Sequence, residues 1–169
     1  MTWPRRKEAR TALRMFAIWG VFFPLACIID KVEYVLSSLH EFEDFAAQFA
    51  RTLRAGDVVA LSGALGSGKT TFVRAAVRAL HSDDPTSSPT FTFWHRYTKA
   101  GTVPIDHLDL YRVDDPNEIT ELGLEEAFDG GSIVFVEWWQ NAPDLLPARR
   151  FEIMIEGSGN TPRVITLKT

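Results

Sequence analysis

Eight residues could bind phosphate mainly through their backbone. The segment GALGSGKT, residues 63–70, has glycine at its first, fourth and sixth positions and ends in Lys69 and Thr70. Glycines allow a tight turn whose successive N–H groups point inward at an anion. In such a loop the lysine reaches the β- and γ-phosphates, and the threonine hydroxyl can ligate Mg²⁺. The spacing therefore predicts a P-loop that binds a nucleoside triphosphate with magnesium. The residues predicted to line it are Gly63, Leu65, Gly66, Ser67, Gly68, Lys69, Thr70 and Thr71.

A P-loop needs a second acid that orients magnesium, and this acid usually ends a neighbouring buried strand. Glu137 follows the apolar run IVFV, and Asp109 lies within HLDLYR. Either could be a solvated acid at a strand end, but beside a P-loop both are predicted to face the nucleotide. His107 is predicted to be a satisfied structural histidine. The polar loop at residues 87–90 is either a plain turn or a switch segment that senses the γ-phosphate.

The segments around the P-loop predict the strand and helix that such a loop requires. Residues 58–61 form an apolar run typical of a buried parallel strand, and residues 72–80 place apolar side chains at helical spacing. Upstream, Ser38 and Glu41 form a capping box that predicts a helix start, and Gly56 is predicted to end that helix.

Alternating strand and helix patterns predict an α/β protein with the three-layer P-loop NTPase fold. Its sheet is predicted to be mainly parallel, with antiparallel hairpin strands added. The further predicted elements are a strand at 33–39, a hairpin of strands 91–97 and 103–110, a helix from Asp115 that breaks near Gly123, a strand at 133–136, and a terminal hairpin of strands 150–155 and 163–167.

Charge is distributed unevenly along the 169 residues. Six of the 18 Lys and Arg and two of the 22 Asp and Glu lie in residues 1–31, so residues 32–169 carry 12 basic and 20 acidic groups, a formal charge of −8. A body this acidic repels phosphate backbones and is not expected to hold nucleic acid unaided. The single cysteine, Cys27, excludes an internal disulfide.

The first 31 residues are predicted to form a separate segment, with the folded domain at residues 32–169. Residues 5–14 are basic and residues 15–29 are apolar and uncharged, which is short for a bilayer span of about 20 residues. A signal peptide, a membrane-associating anchor and upstream sequence translated from a misplaced start codon all fit this pattern. The misplaced start is favoured because nothing in the segment couples to the domain, and no membrane association is expected.

Four segments, in this order and at this spacing, resemble the TsaE (YjeE) family. They are GALGSGKTT at 63–71, SPTFT at 88–92, HLDLYR at 107–112 and VEW at 136–138. The resemblance covers about residues 33–167. Residues 1–31 have no counterpart in the family, and Trp139 stands where relatives often carry proline.

The resemblance implies a cytoplasmic ATPase that supports synthesis of N6-threonylcarbamoyladenosine in tRNA. Such a protein acts on the TsaB–TsaD complex, with ATP and Mg²⁺ as ligands, and meets tRNA only indirectly. The resemblance implies that Lys69 holds phosphates, that Thr70 and Glu137 ligate magnesium, and that Asp109 assists hydrolysis or switching. It also implies that Thr90 lies in a switch loop and that adenine binds near residues 38–41.

Two other functions remain open from the residues alone. A P-loop kinase of small metabolites usually has a lid rich in arginines, but residues 79–148 contain only Arg96 and Arg112. A nucleotide-dependent binding switch with negligible turnover would share the same loop. A GTPase is disfavoured because the chain contains no Asn-Lys-x-Asp motif.

Overall fold

Seven strands and three α-helices make up the fold in a computed structural model that describes residues 31–81, 93–113, 115, 117–159 and 161–168. The strands are β1 (Val32–Leu36), β2 (Val58–Ser62), β3 (Trp94–Tyr97), β4 (Ile105–Asp109), β5 (Ile133–Glu137), β6 (Phe151–Glu156) and β7 (Arg163–Lys168). The α-helices are α1 (Leu39–Ala50), α2 (Lys69–His81) and α3 (Asn117–Glu121). Short 3₁₀ segments occupy Leu124–Phe128, Trp139–Asn141 and Pro143–Leu145.

The strands form one sheet in the order β1-β7-β6-β2-β5-β4-β3. The central strands β6, β2, β5 and β4 are mutually parallel, while β7 and β3 run antiparallel to their neighbours. Because β1 is antiparallel to β7, it runs in the common direction. The predicted α/β fold, with a mainly parallel sheet and two added hairpins, is confirmed.

Helices α1 and α2 cover one face of the sheet through a cluster of phenylalanines. Phe42, Phe45 and Phe49 on α1 are buried, and the centroid of each ring lies 6.0 to 6.4 Å from that of Phe72 on α2. Tilted and edge-to-face arrangements at these separations are favourable for aromatic rings. The phenylalanine stripe predicted from helical spacing therefore packs in the core and also joins α1 to the helix that follows the P-loop.

A second apolar cluster covers the opposite face of the sheet and completes the three layers. Leu108 and Val136 from the sheet pack with Leu124 and Ala127 of the first 3₁₀ segment. Gly123, with φ of 63°, separates this segment from α3, and the backbone N–H of Asp115 donates to Glu118 Oε1 at 3.3 Å. The predicted helix start near Asp115 and the predicted break near Gly123 are both confirmed.

The start of α1 follows the prediction and its end does not. Ser38 is the N-cap, since its Oγ accepts from the backbone N–H of Glu41 at 3.1 Å, and Glu41 Oε2 accepts from Ser37 N–H at 2.7 Å. The helix ends at Ala50, so the predicted end at Gly56 is wrong. Thr52 N–H bonds Phe49 O and Leu53 N–H bonds Ala50 O, an i→i−3 pattern that tightens the last turn and stops the helix.

Two regions of interest lie outside the described residues. They are the N-terminal segment at residues 1–30 and the loop at residues 82–92, which includes Thr90. In the ranges that the structure does describe, no helix is both long enough and apolar enough to cross a membrane.

The capping box of α1 yields a prediction about stability. Ser38→Ala removes the acceptor for the Glu41 N–H and should lower the free energy of unfolding by about 1 kcal/mol, as measured by urea denaturation. Ser37→Ala is the matched control, because Ser37 bonds Glu41 through its backbone N–H. Equal losses in the two variants would contradict the capping role of Ser38.

Candidate functional site

The candidate site lies where the carboxyl ends of three neighbouring parallel strands meet. Leu61 of β2 pairs with Glu137 of β5, and Asp109 of β4 pairs with Glu137 from the other side. The P-loop leaves the end of β2 and leads into α2 at Lys69. Ligands of open α/β sheets bind at this edge, so the sheet order brings the two predicted acids to the predicted P-loop.

Three glycines give the P-loop a backbone that other residues rarely adopt. Gly63, Gly66 and Gly68 have φ of 139°, 78° and 112°. A Cβ on Gly63 would overlap the carbonyl oxygen of Ile155 on β6 and would also clash with Ser67 Oγ. Gly63 therefore lets the loop lie directly against the neighbouring strand.

Lys69 is the central cation of the site and is only 4% exposed. Its Nζ donates to the carbonyl oxygens of Gly63 at 2.8 Å and Ala64 at 3.1 Å, and lies 3.8 Å from the ring centroid of Trp138. Burial lowers the pKa of Lys69 from its ordinary value of 10.5, and attraction to Glu137 and Asp109 opposes that shift. A desolvated ammonium held by the P-loop is suited to bind phosphate oxygens.

Thr70 and Glu137 form the predicted metal-ligating pair. Thr70 Oγ1 donates to Glu137 Oε2 at 3.0 Å, and His107 Nε2 contacts the other carboxylate oxygen, Oε1, at 2.8 Å. A hydroxyl and a carboxylate beside a phosphate site are the hard oxygen donors that Mg²⁺ prefers, with phosphate oxygens completing its coordination. These residues therefore fit a magnesium ion bound together with a nucleotide.

Asp109 is the third charged group of the cluster. Partial burial raises the pKa of Asp109 from its ordinary value of 3.8, and the charge of Glu137 raises it further. Three interactions oppose this rise: the hydrogen bond that Asp109 Oδ1 accepts from Tyr111 N–H, and the electrostatic effects of His107 and Lys69. Two neighbouring carboxylates make ionisation of one of them harder. Asp109 thus has a higher pKa than an ordinary aspartate and accepts a proton more readily.

Three residues of the site were not predicted from the sequence. His107 was expected to be a satisfied structural histidine, but its one described hydrogen bond is to Glu137, and its Nδ1 has no partner among the described residues. Trp138 has φ of 57°, in the left-handed region that non-glycine residues rarely occupy, and its ring contacts both Lys69 and Tyr111. Arg163 of β7 donates from Nε to the P-loop carbonyl of Ser67 at 3.4 Å.

Several predicted residues contribute to the site in other ways or stay untested. Leu65 is 74% exposed, and because its side chain has no polar atom it can bind a phosphate only through its backbone N–H. Ser67 is buried, and its Oγ has no hydrogen-bond partner among the described residues. Thr71 is half-buried in the first turn of α2. The role of Thr90 and the adenine site near residues 38–41 stay predictions.

The P-loop glycines differ in what a side chain would meet. Gly63→Ala should lower the free energy of unfolding by about 1–3 kcal/mol more than Gly66→Ala, because only the former would collide with the backbone of β6. Gly66 has a similar requirement for positive φ but has no atom within 4 Å of the added Cβ. Equal destabilisation in urea denaturation would mean that the close approach to Ile155 is unimportant.

The raised pKa of Asp109 predicts a dependence of stability on pH. An acid whose pKa is higher in the folded state than in the unfolded state stabilises the fold only while it is protonated. This stabilisation is complete below the unfolded-state pKa and is lost as the pH rises through the folded-state pKa. Ionised Asp109 therefore destabilises the fold at neutral pH. Asp109→Asn, which retains an acceptor for Tyr111 N–H, should raise the melting temperature at pH 7, and the gain should shrink as the pH falls towards 3.8.

Asp129→Asn is the matched control for this measurement. Asp129 Oδ1 also accepts from the backbone N–H two residues later, that of Gly131, at 2.7 Å, but its side chain is exposed. A similar gain in the two variants, or one that does not vary with pH, would contradict the electrostatic origin of the effect at Asp109.

Comparison with known proteins places this site in a family. A family model described as threonylcarbamoyl adenosine biosynthesis protein TsaE matches residues 36–165. The tRNA threonylcarbamoyladenosine biosynthesis protein TsaE of Bacillus subtilis is 38% identical over 126 residues, which cover 75% of this chain and 78% of that protein. The protein of the same description from Rickettsia bellii is 39% identical over 123 residues, 72% of this chain and 84% of that protein.

A solved structure agrees with the sequence comparisons. The crystal structure of Bacillus subtilis YdiB matches with a TM-score of 0.68 and 30% identity, covering 85% of this chain and 88% of that one. The matched region of the family model runs from the last residue of β1 into β7, and so contains the P-loop and both acids. The chain therefore belongs to the TsaE family.

Proposed function

We propose that this protein is a magnesium-dependent P-loop ATPase that supports threonylcarbamoyladenosine synthesis in tRNA by acting on a TsaB–TsaD complex. The observation that carries the proposal is the pairing of Thr70 with Glu137 at 3.0 Å beside the buried Lys69. Relatives 38% and 39% identical to this chain are described as tRNA threonylcarbamoyladenosine biosynthesis proteins. The pathway is inferred from those relatives, and the chemistry from the site.

Different residues of the site bind the phosphates, hold magnesium and act on the attacking water in this proposal. The backbone N–H groups of the P-loop and the positive end of α2 bind the phosphates, and Lys69 exchanges its bonds to the loop carbonyls for phosphate oxygens. Thr70 and Glu137 would hold magnesium, which would supply positive charge to the β- and γ-phosphates. Asp109 is one strand away from Glu137 and accepts the proton of the attacking water or holds that water in line.

We expect the isolated protein to hydrolyse ATP slowly. Lys69 is the cation nearest to the reacting end of the site, and it already makes hydrogen bonds to the P-loop carbonyls, while His107 is hydrogen-bonded to Glu137. Arg163 approaches the P-loop at Ser67, on the side of β6 and β7. A partner that adds a cation or orders a loop would complete the site, as arginine fingers do in related NTPases.

The charge of the chain supports an indirect role with tRNA. Residues 32–169 carry a formal charge of −8, so a phosphate backbone is repelled by most of this surface. A protein partner that holds the tRNA removes the need for direct contact. We propose that this partner is the TsaB–TsaD complex and that the protein acts in the cytoplasm.

The decisive measurement is ATP turnover by the full chain, alone and with a TsaB–TsaD pair and tRNA. Turnover should be low for the protein alone and should rise when the pair is added. Lys69→Ala should abolish nucleotide binding, and Asp109→Asn should retain binding but lose the stimulated turnover. Arg78→Ala is the control, because Arg78 is exposed on α2 and its one ion pair with a described residue is to Glu43, at 4.0 Å.

Two outcomes would contradict the proposal. Transfer of the γ-phosphate to a small acceptor, with no response to the TsaB–TsaD pair, would indicate a metabolite kinase. Tight nucleotide binding with no turnover in any mixture would indicate a binding switch.

A further inference from the structure

His107 occupies a buried position on β4 that an apolar side chain would ordinarily fill. Its side chain is 1% exposed, and the residue lies opposite Phe135 of β5 and opposite His95 of β3 in the sheet. Burial of an imidazole is unfavourable unless its nitrogens are hydrogen-bonded. Its Nε2 bonds Glu137, while Nδ1 has no partner among the described residues. Packing alone does not account for a histidine here.

We infer that His107 is a positioning residue that fixes the Glu137 carboxylate so that a single oxygen, Oε2, faces Thr70 and is left free to ligate the proposed metal ion. This inference rests on the proposed magnesium site and extends it to the residue that orients its carboxylate. His107 itself ligates nothing. Its contribution is the orientation of the oxygen that Glu137 presents.

The hydrogen-bond pattern defines this role. An ionised carboxylate only accepts hydrogen bonds, so the 2.8 Å contact requires that His107 Nε2 carry the proton and donate it to Oε1. Thr70 Oγ1 donates to Oε2 at 3.0 Å. Each carboxylate oxygen therefore has its own donor, from a different element of the fold.

Without His107 the carboxylate would be less well defined. The terminal torsion of a glutamate side chain is broad, so a carboxylate with a hydrogen bond to only one of its oxygens is less restricted about that bond than one held at both. Hydrogen bonds to the far side of a metal ligand generally set its orientation, and their loss typically weakens metal affinity 10- to 100-fold. Because the donor lies on β4 and the carboxylate on β5, the pairing of these two strands sets the geometry.

The test uses two amide replacements that differ in reach. Glutamine places its Nε2 the same number of bonds from Cα as the histidine Nε2, whereas the asparagine amide is one bond shorter. His107→Gln should therefore retain the bond to Glu137, and His107→Asn should lose it. Affinity for a non-hydrolysable ATP analogue is measured by titration calorimetry on the full chain, with magnesium and with the chelator EDTA.

In the wild type, magnesium should strengthen binding of the analogue. In His107→Asn that magnesium-dependent gain should fall about tenfold or more, while affinity in EDTA stays unchanged. His107→Gln should recover most of the gain. Thr166→Val on β7 is the control for loss of a buried polar group, because Thr166 is 2% exposed and its Oγ1 has no partner among the described residues; it should behave as wild type.

The results of the titrations distinguish a failure of the role of His107 from a failure of the proposed magnesium site. If magnesium does not strengthen binding in the wild type, the magnesium assignment fails and the role of His107 fails with it. If the wild type responds and His107→Asn responds equally, only the positioning role is overturned. Equal losses in EDTA and in magnesium would indicate a general structural role and would also overturn it.

Nitrogen NMR of the wild type gives a second measurement that needs no variant to fold. The ring nitrogen shifts of His107 should show a neutral imidazole or an imidazolium with a proton on Nε2. A neutral ring protonated at Nδ1 alone would overturn the inference, because such a ring cannot donate to Glu137.

Discussion

A buried ammonium group is the constraint around which this site is arranged. Lys69 is almost fully removed from solvent, and an unpaired charge in that position would strongly destabilise the fold. The structure compensates it with two loop carbonyls, an aromatic face and two carboxylates. Each of these groups comes from the carboxyl end of a strand or from the loop after it. The groups that stabilise the charge of Lys69 are therefore the same groups that form the candidate site.

The order of strands makes this compensation possible. β2 lies between β5 and β6, so the P-loop has an acidic neighbour on one side and the terminal hairpin on the other. Glu137 and Asp109 end adjacent parallel strands at the same level of the sheet. On the other side, Gly63 contacts the backbone of β6, and Arg163 reaches the loop from β7. The acidic side supplies carboxylate oxygens of the kind that bind a metal ion beside a phosphate, and the hairpin side contacts the loop.

Much of the fold and the main site residues could be predicted because their signals are local. The P-loop is continuous in sequence, and Glu137 and Asp109 end apolar strands, so the parallel sheet brings them together. The end of α1 could not be predicted well, because i→i−3 bonds at Thr52 and Leu53 stop the helix before Gly56. Strand alternation does place His107 and Asp109 on one face, but the bond to Glu137 depends on which strand lies beside β4.

Other site features depend on interactions that no local pattern encodes. The left-handed backbone of Trp138 is unusual for a bulky residue and is maintained by the surrounding contacts, including its N–H bond to Leu61 O at 3.3 Å. The contact of Arg163 with Ser67 joins residues 96 positions apart. Such features follow from the register of distant strands, which a single sequence does not reveal.

The position of β6 also bears on how the chain must fold. β2 carries the P-loop and obtains one of its two strand neighbours from β6, where Val59 pairs with Phe151, 92 residues later. During synthesis from the N-terminus, β2 therefore keeps an open hydrogen-bonding edge until nearly the whole domain has emerged from the ribosome. Pairings between such distant segments form slowly because a long loop must close first. A nascent chain that stops before β6 would consequently expose the unpaired backbone edge of β2, an apolar strand, and would be prone to aggregation.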